Sequence, residues 1–129
     1  MQEQPRGGFY TIVAWQQADD LVIVIYQITR KFPQHERYGL TSQLRRAAVS
    51  VAANIAEGSG RRTLRDYIRF LYQSKGSLTE VEYLVHVANR LGYFTAAEFQ
   101  KLRGDLRQAA GTLLGFIRFK EEEAQTEGE

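Results

Sequence analysis

Apolar residues recur at alternating steps of three and four along four stretches of the chain, which is the period of one face of an α-helix. The first stretch starts near Thr11 and stops at Pro33, a residue that a helix interior does not tolerate. Its apolar seam is Trp15, Ala18, Val22, Ile25, Thr29 and Phe32. The second stretch is shorter, and its seam is Leu44, Ala48, Val51 and Ile55. Turn residues separate the stretches, so the pattern predicts separate helices rather than one extended coiled coil.

The third and fourth stretches carry the clearest helix start signals. Thr63 followed by Asp66 predicts an N-cap for the third helix, and Thr95 followed by Glu98 predicts a capping box for the fourth. The third seam is Leu64, Tyr67, Leu71, Ser74, Leu78, Val81, Val85 and Ala88. The fourth seam is Phe99, Leu102, Leu106, Ala109, Leu113 and Phe116. Four such helices with short connections predict an all-α fold, an antiparallel up-down-up-down four-helix bundle.

Small residues mark where these helices can approach one another. Five of the ten positions from Ala47 to Ala56 are alanine, in a helix that we expect Thr41 to cap and Gly58 to end. Gly76 lies inside the third helix, where glycine costs about 1 kcal/mol relative to alanine. Close contact with the alanine-rich second helix would explain it.

The chain divides into three parts by composition. Residues 1–10 have no apolar period and contain Pro5 and a glycine pair, so they predict a mobile leader. Residues 11–120 hold the four helices. Residues 121–129 contain five acids and no base, which predicts an acidic disordered tail. At 129 residues the chain is long enough for one domain.

The first helix is apolar almost all round, because further apolar residues lie outside its seam. These are Leu21, Ile23, Val24, Tyr26 and Ile28. A helix in a small monomer keeps a polar face towards water. We therefore expect a homo-oligomer in which this helix buries a second side against another subunit.

Composition excludes several classes of function. The chain has no cysteine, so it holds no disulfide and no thiolate metal site, which suits a reducing cytosol. No apolar run approaches the roughly 18 residues of a membrane span, and the N-terminus lacks the pattern of a signal peptide. The sequence therefore predicts a soluble cytoplasmic protein with no membrane partner.

The sequence contains few candidate residues for catalysis or for binding metal ions. The only histidines are His35, in a loop, and His86, on the third helix. A di-iron site in a bundle needs repeated Glu-x-x-His pairs, whereas Glu82 and His86 are four residues apart and occur once. We therefore predict no enzyme activity, no metal and no cofactor.

Basic charge is concentrated around the start of the third helix. Residues 1–120 carry seventeen basic and ten acidic side chains, a net charge of +7, and residues 41–75 alone carry seven basic and two acidic ones. Arg61 and Arg62 precede the third helix, and Arg65 and Arg69 follow at one-turn spacing. These arginines could track a phosphate backbone, or they could form a solvated face that keeps the protein soluble.

A polar row follows one face of the second helix. It consists of Arg46, Ser50, Asn54 and Glu57, at steps of three and four. The helix dipole disfavours a carboxylate in the last turn, so we expect Glu57 to pair with Arg46, Arg61 or a neighbouring subunit. The row is either a satisfied polar seam between helices or a site for a partner.

Three blocks of sequence, in order, carry a resemblance to a known family. They are residues 38–50 (Tyr-Gly-Leu-Thr-Ser-Gln-Leu-Arg-Arg-Ala-Ala-Val-Ser), 54–58 (Asn-Ile-Ala-Glu-Gly) and 75–80 (Lys-Gly-Ser-Leu-Thr-Glu). From about Trp15 to Phe119 the chain resembles the four-helix-bundle family named after proteins encoded in intervening sequences of 23S rRNA genes. That resemblance implies a pentameric bundle without known enzymatic activity. The family is also similar to accessory proteins of diversity-generating retroelements, which implies a basic pentamer that binds nucleic acid beside a reverse transcriptase.

Two functions fit these observations. The first is a non-enzymatic oligomeric bundle that binds RNA or DNA through Arg61, Arg62, Arg65 and Arg69, as an accessory to a nucleic-acid-processing protein. The second is a protein–protein interaction scaffold that uses the polar row of the second helix. A salt-dependent shift with nucleic acid would separate them.

Overall fold

The structure is a computed structural model, and it describes residues 7–128. Four α-helices make up most of this range. They are α1 (Val13–Ile28), α2 (Leu40–Ser59), α3 (Leu64–Arg90) and α4 (Ala96–Gly128). Short 3-10 turns occur at Gly8–Thr11, Thr29–Lys31 and Gln34–Glu36. No strand occurs between residues 7 and 128, which confirms the predicted all-α class.

Each helix packs against two others. Helix α2 lies against α1 and α3, and α4 lies against α3 and α1, so the four helices enclose one core. Along the α2–α3 contact Ser50 meets Ser77 and Val51 meets Ser74, while Gly58 lies against Phe70. This is the order expected of antiparallel neighbours. The up-down-up-down order of all four helices stays a prediction.

The buried residues agree closely with two of the predicted seams. All four seam residues of α2 are buried, and α3 is buried along its seam from Leu71 to Ala88. In α4 the last buried residue is Ile117 rather than Phe116, which is half-buried. In α1 the buried face consists of Ala14, Ala18, Leu21 and Ile25. The seam of α1 is therefore one residue off at Trp15 and Val22, although its period is correct.

The predicted caps of α3 and α4 are confirmed. The backbone N–H of Asp66 donates to Oγ1 of Thr63 at 3.1 Å. At α4 the box is reciprocal, because the N–H of Glu98 donates to Thr95 Oγ1 at 3.1 Å and the N–H of Thr95 donates to Glu98 Oε1 at 2.8 Å. Both caps satisfy backbone amides that the first turn of a helix leaves without a partner.

The predicted N-cap of α2 is wrong. The helix begins at Leu40, and Thr41 is a buried residue of its first turn. Instead the carboxylate of Glu36 accepts the N–H of Leu40 at 3.1 Å and the hydroxyl of Tyr93 at 2.8 Å. The hydrogen bonds from Leu40 and Tyr93 hold the pKa of Glu36 below its usual value. This carboxylate thus joins the α1–α2 and α3–α4 connections at one end of the bundle.

Gly76 does not have the packing role that its position predicts. A Cβ built at Gly76 meets nothing within 4 Å, so α2 does not require glycine there. The close approach of α2 and α3 occurs at Gly58 instead. A Cβ at Gly58 would lie 2.8 Å from Cβ of Phe70 and 2.9 Å from Cδ1 of Tyr67. Only glycine lets the two helices meet at this point.

The C-terminal end of the chain differs from its prediction, whereas the mobility of the leader stays a prediction. The described part of the leader forms the turn Gly8–Thr11, whose Phe9 ring lies 4.8 Å from the Trp15 ring; residues 1–6 lie outside the described range. Most of the predicted disordered tail is helical, since α4 continues to Gly128. The hydroxyl of Tyr72 donates to Glu121 at 2.6 Å and anchors this extension to α3.

A candidate nucleic-acid interface

The turn between α2 and α3 brings the four predicted arginines to one surface. A concave region of about 630 Å³ is lined by Arg61, Arg62, Arg65 and Arg69, together with Gly60, Thr63, Asp66 and Ile68. We call this surface the arginine cluster. It lies at the N-terminus of α3, where the backbone amides and the helix dipole favour an anion.

A buried aromatic ring supports two of these arginines. Phe70 is only 7% exposed, and the guanidinium carbons of Arg61 and Arg69 lie 4.4 and 4.7 Å from its ring centroid. Phe70 in turn rests against α2 where Gly58 has no side chain. The cation–π contacts orient the guanidinium groups while their edges remain exposed to solvent.

Asp66 neutralises part of the cluster. Its carboxylate accepts from Nε of Arg69 at 2.9 Å and lies 2.8 Å from Nη2 of the same residue. Nε of Arg61 is more distant, at 3.8 Å. Arg62 and Arg65 are exposed and form no ion pair with any residue between 7 and 128. Four arginines against one carboxylate leave the surface with a formal charge of +3.

The two tyrosines near the cluster in sequence, Tyr67 and Tyr72, do not line its concave surface. Tyr67 is half-buried and makes an edge contact with Phe116, at 6.0 Å between ring centroids. Burial, with a smaller effect from Glu123, raises the pKa of Tyr67 to about 12. Tyr72 is exposed, but its hydroxyl is bonded to Glu121. The cluster therefore offers charge and hydrogen-bond donors rather than aromatic faces.

The polar row of α2 is used in part within the chain. Ser50 Oγ lies 2.8 Å from Ser77 Oγ of α3, and the amide of Asn54 donates to Ser50 Oγ at 3.1 Å. Arg46 donates to Ser42 at 2.6 Å. Glu57 is exposed and has no ion pair within the described residues, so neither Arg46 nor Arg61 is the partner we expect for it. A site for another protein along this row stays a prediction.

Two features of the described range concern metal binding and membrane crossing. Residues 7–128 contain no group of three or more His, Cys, Asp or Glu side chains that could hold a metal ion. None of the helices described is both long enough and apolar enough to cross a membrane.

Two residues of the site were missed by sequence reasoning. Phe70 is outside the predicted seam of α3, yet it carries both cation–π contacts. Its position directly before Leu71 was the available signal, since a wide apolar face includes residues beside the seam. In the sequence Asp66 counts as part of a cap and of the local charge balance, although its spacing of three from Arg69 also permits an ion pair.

Comparison with known proteins places this structure among helical relatives. The chain is similar to the crystal structure of a protein of unknown function from the S23 ribosomal protein family of Bacteroides thetaiotaomicron. The two share 20% sequence identity and superpose with a TM-score of 0.73, over 81% of this chain and 98% of the other. At that identity the likeness shows the fold alone. No curated protein gives a significant match.

The sequence itself identifies the family. The family described as 23S rRNA-intervening sequence protein matches residues 11–115, which is most of the chain and includes all four helices in whole or in part. The matched range contains both the arginine cluster and the polar row. The chain therefore belongs to the 23S rRNA-intervening sequence protein family.

Proposed function

We propose that this protein is a non-enzymatic helical bundle that binds RNA or DNA through the arginine cluster. The observation that carries the proposal is that Arg61, Arg62, Arg65 and Arg69 line one concave surface at a helix N-terminus. Arginine is well matched to phosphate, because its planar guanidinium group donates two parallel hydrogen bonds. The net charge of the surface attracts a polyanion, and its open shape admits an extended backbone.

The cluster favours recognition of the backbone rather than of the bases. Guanidinium contacts to phosphate fix the position of a nucleic acid but carry no base code. No aromatic residue of the described range lines the cluster, so its surface presents no ring on which a base could stack. Binding at this surface should therefore have little sequence preference.

We also propose that the protein acts as a homo-oligomer, which would repeat the cluster around the assembly. Ile23 and Tyr26 of α1 are 53% and 41% exposed in the single chain, an unusual arrangement for large apolar side chains on one helix. The resemblance to accessory proteins of diversity-generating retroelements favours a pentamer that works beside a nucleic-acid-processing enzyme. Light scattering at micromolar concentration is expected to give the mass of an oligomer, and a monomer would contradict this part of the proposal.

Replacing Arg65 and Arg69 together with glutamine is expected to weaken binding of a single-stranded oligonucleotide by roughly 20-fold near 0.1 M salt. Each phosphate contact contributes about 0.7 to the slope of log affinity against log salt, so two lost contacts remove about 1.4 log units there. Glutamine is a good helix former, so α3 should remain intact. Fluorescence anisotropy with a labelled oligonucleotide measures the effect, and circular dichroism checks the fold.

The matched control removes two charges from the same helix outside the cluster. Lys75 and Arg90 are both exposed on α3, so Lys75→Gln with Arg90→Gln lowers the net charge equally. The control is expected to reduce the affinity much less than the cluster variant. Equal losses in the two variants would mean that only overall charge matters, and no loss in either would refute the proposal.

A further inference from the structure

A second groove lies between α3 and α4, far from the arginine cluster. Its volume is about 440 Å³, within the range of small-ligand sites. Val85 and Leu106 form its floor, and both are buried. The groove lies near His86, and twenty-one residues separate this position from Arg65, or roughly 30 Å along a helix. The two surfaces are therefore separate sites.

The wall of the groove that α4 forms combines an aromatic ring with two cationic side chains. Phe99 is half-buried, and Arg103, one turn further along α4, has its guanidinium carbon 5.9 Å from the Phe99 ring centroid. Arg107 follows one turn later on the same wall. Neither arginine forms an ion pair with another residue of the described range. Their donors are thus available to an anion.

The opposite wall comes from α3 and has a different chemistry. The His86 ring stacks on Tyr83 at 6.2 Å between centroids, with an angle of 28° between the planes. Glu82, one turn before His86, lines the same wall, and its carboxylate has no ion pair within residues 7–128. A carboxylate accepts hydrogen bonds and donates none. This wall therefore suits a flat ring that carries an amino group.

We propose that this groove binds one unstacked nucleotide of a single-stranded nucleic acid, an inference that rests on the proposed function and adds a second contact to it. The base lies on the apolar floor between Phe99 and His86, and its phosphate is held by Arg103 and Arg107. Glu82 accepts from the exocyclic amino group of adenine, cytosine or guanine, whereas uracil and thymine offer only the ring N3–H as a donor. Stacking of a base on aromatic side chains is sequence-tolerant and requires an unpaired strand.

The proposal predicts a preference that the arginine cluster alone would not produce. Oligoadenylate should bind more tightly than oligouridylate, and single strands more tightly than a duplex of the same length. A variant with Arg103→Gln and Arg107→Gln is expected to lose about tenfold in affinity for oligoadenylate and, because a nucleotide no longer held by its phosphate occupies the groove less, to show a smaller preference for single strands. The variant with Lys75→Gln and Arg90→Gln removes the same charge outside the groove and should keep both preferences.

A direct measurement uses adenosine monophosphate as the probe and methyl NMR as the readout. Added nucleotide is expected to shift the methyl signals of Val85 and Leu106, and uridine monophosphate should shift them less. An aromatic peptide with an acidic group that shifts the same signals more strongly than the nucleotide would overturn the assignment in favour of a protein ligand. Unshifted signals would overturn it as well.

The two proposals fail in different ways. If the Arg65 and Arg69 variant loses affinity while the Arg103 and Arg107 variant behaves like its control, the groove assignment is wrong and the proposed function stands. If the unaltered protein binds no oligonucleotide at low salt, the proposed function is wrong. In that case shifts of Val85 and Leu106 with adenosine monophosphate would identify the groove as a mononucleotide site only.

Discussion

Replacing Phe70 with alanine is expected to lower the free energy of unfolding by about 3 kcal/mol, the lower end of the cost of removing a buried phenylalanine ring, because exposed Arg61 and Arg69 cover part of the ring. Phe70 is only 7% exposed, and its Cβ is packed against α2 at Gly58. The loss also removes the surface on which Arg61 and Arg69 rest. Urea denaturation followed by circular dichroism measures the stability.

Phe70→Leu is the matched control for this prediction. Leucine keeps most of the buried apolar volume but has no π face, so a smaller loss of roughly 1–2 kcal/mol is expected. If Phe70→Ala lowered the free energy of unfolding less than Phe70→Leu does, the packing of the Phe70 side chain would not stabilise the protein. Oligonucleotide affinity of the folded leucine variant then reports how far the cation–π contacts position the arginines.

Replacing Gly58 with alanine is expected to destabilise the protein, although alanine is the better helix former. The new Cβ would lie 2.8 Å from Cβ of Phe70, an atom fixed to the backbone of α3, so the two helices must move apart. Overpacking of this kind costs about 1–3 kcal/mol. The gain in helix propensity is about 1 kcal/mol, which leaves a net loss of stability of up to about 2 kcal/mol.

The same substitution at Gly76 should have the opposite sign. A Cβ there meets nothing within 4 Å, so Gly76→Ala is expected to stabilise the protein by about 1 kcal/mol through helix propensity alone. Thermal melts of the two variants provide the comparison. Stabilisation by both substitutions would show that α2 and α3 are not in close contact at Gly58.

The helices were predictable because several local signals agreed with the apolar period. The N-cap at Thr63 and the box at Thr95 and Glu98 depend on residues within one turn of each other. The seam of α2 is buried as predicted, because residues that recur at steps of three and four lie on a single face of a helix, and an apolar face packs against the core. Local chemistry was sufficient in these cases.

Errors occurred where distant contacts decide the structure. The start of α2 involves both a local and a distant contact, because Glu36 accepts the N–H of Leu40, four residues on, and also the hydroxyl of Tyr93, far along the chain. The tail continues as helix, and Tyr72 of α3 donates to Glu121 at its first residue, whereas the composition of the tail alone predicts disorder. The two glycines of the α2–α3 pair look alike in sequence, and only the relative position of the helices shows that Gly58 makes the contact.

The candidate site was predictable in its residues but not in its geometry. The spacing of Arg61, Arg62, Arg65 and Arg69 predicts a basic surface, and all four line the same concavity. Phe70 and Asp66 orient these arginines through contacts in the folded protein, and counting charges along the sequence does not reveal such contacts. The second groove was missed because its walls come from separate helices.

The dependence of oligonucleotide affinity on salt tests the central claim most directly. If the four arginines of the cluster contact phosphates, the cluster should contribute roughly 2.8 to the slope with which log affinity falls against log salt for a single strand, and more in an oligomer. With Arg65 and Arg69 both replaced by glutamine, the slope contributed by the cluster should fall to about half. A slope that is unchanged in the variant, or the absence of binding at low salt, would contradict the account.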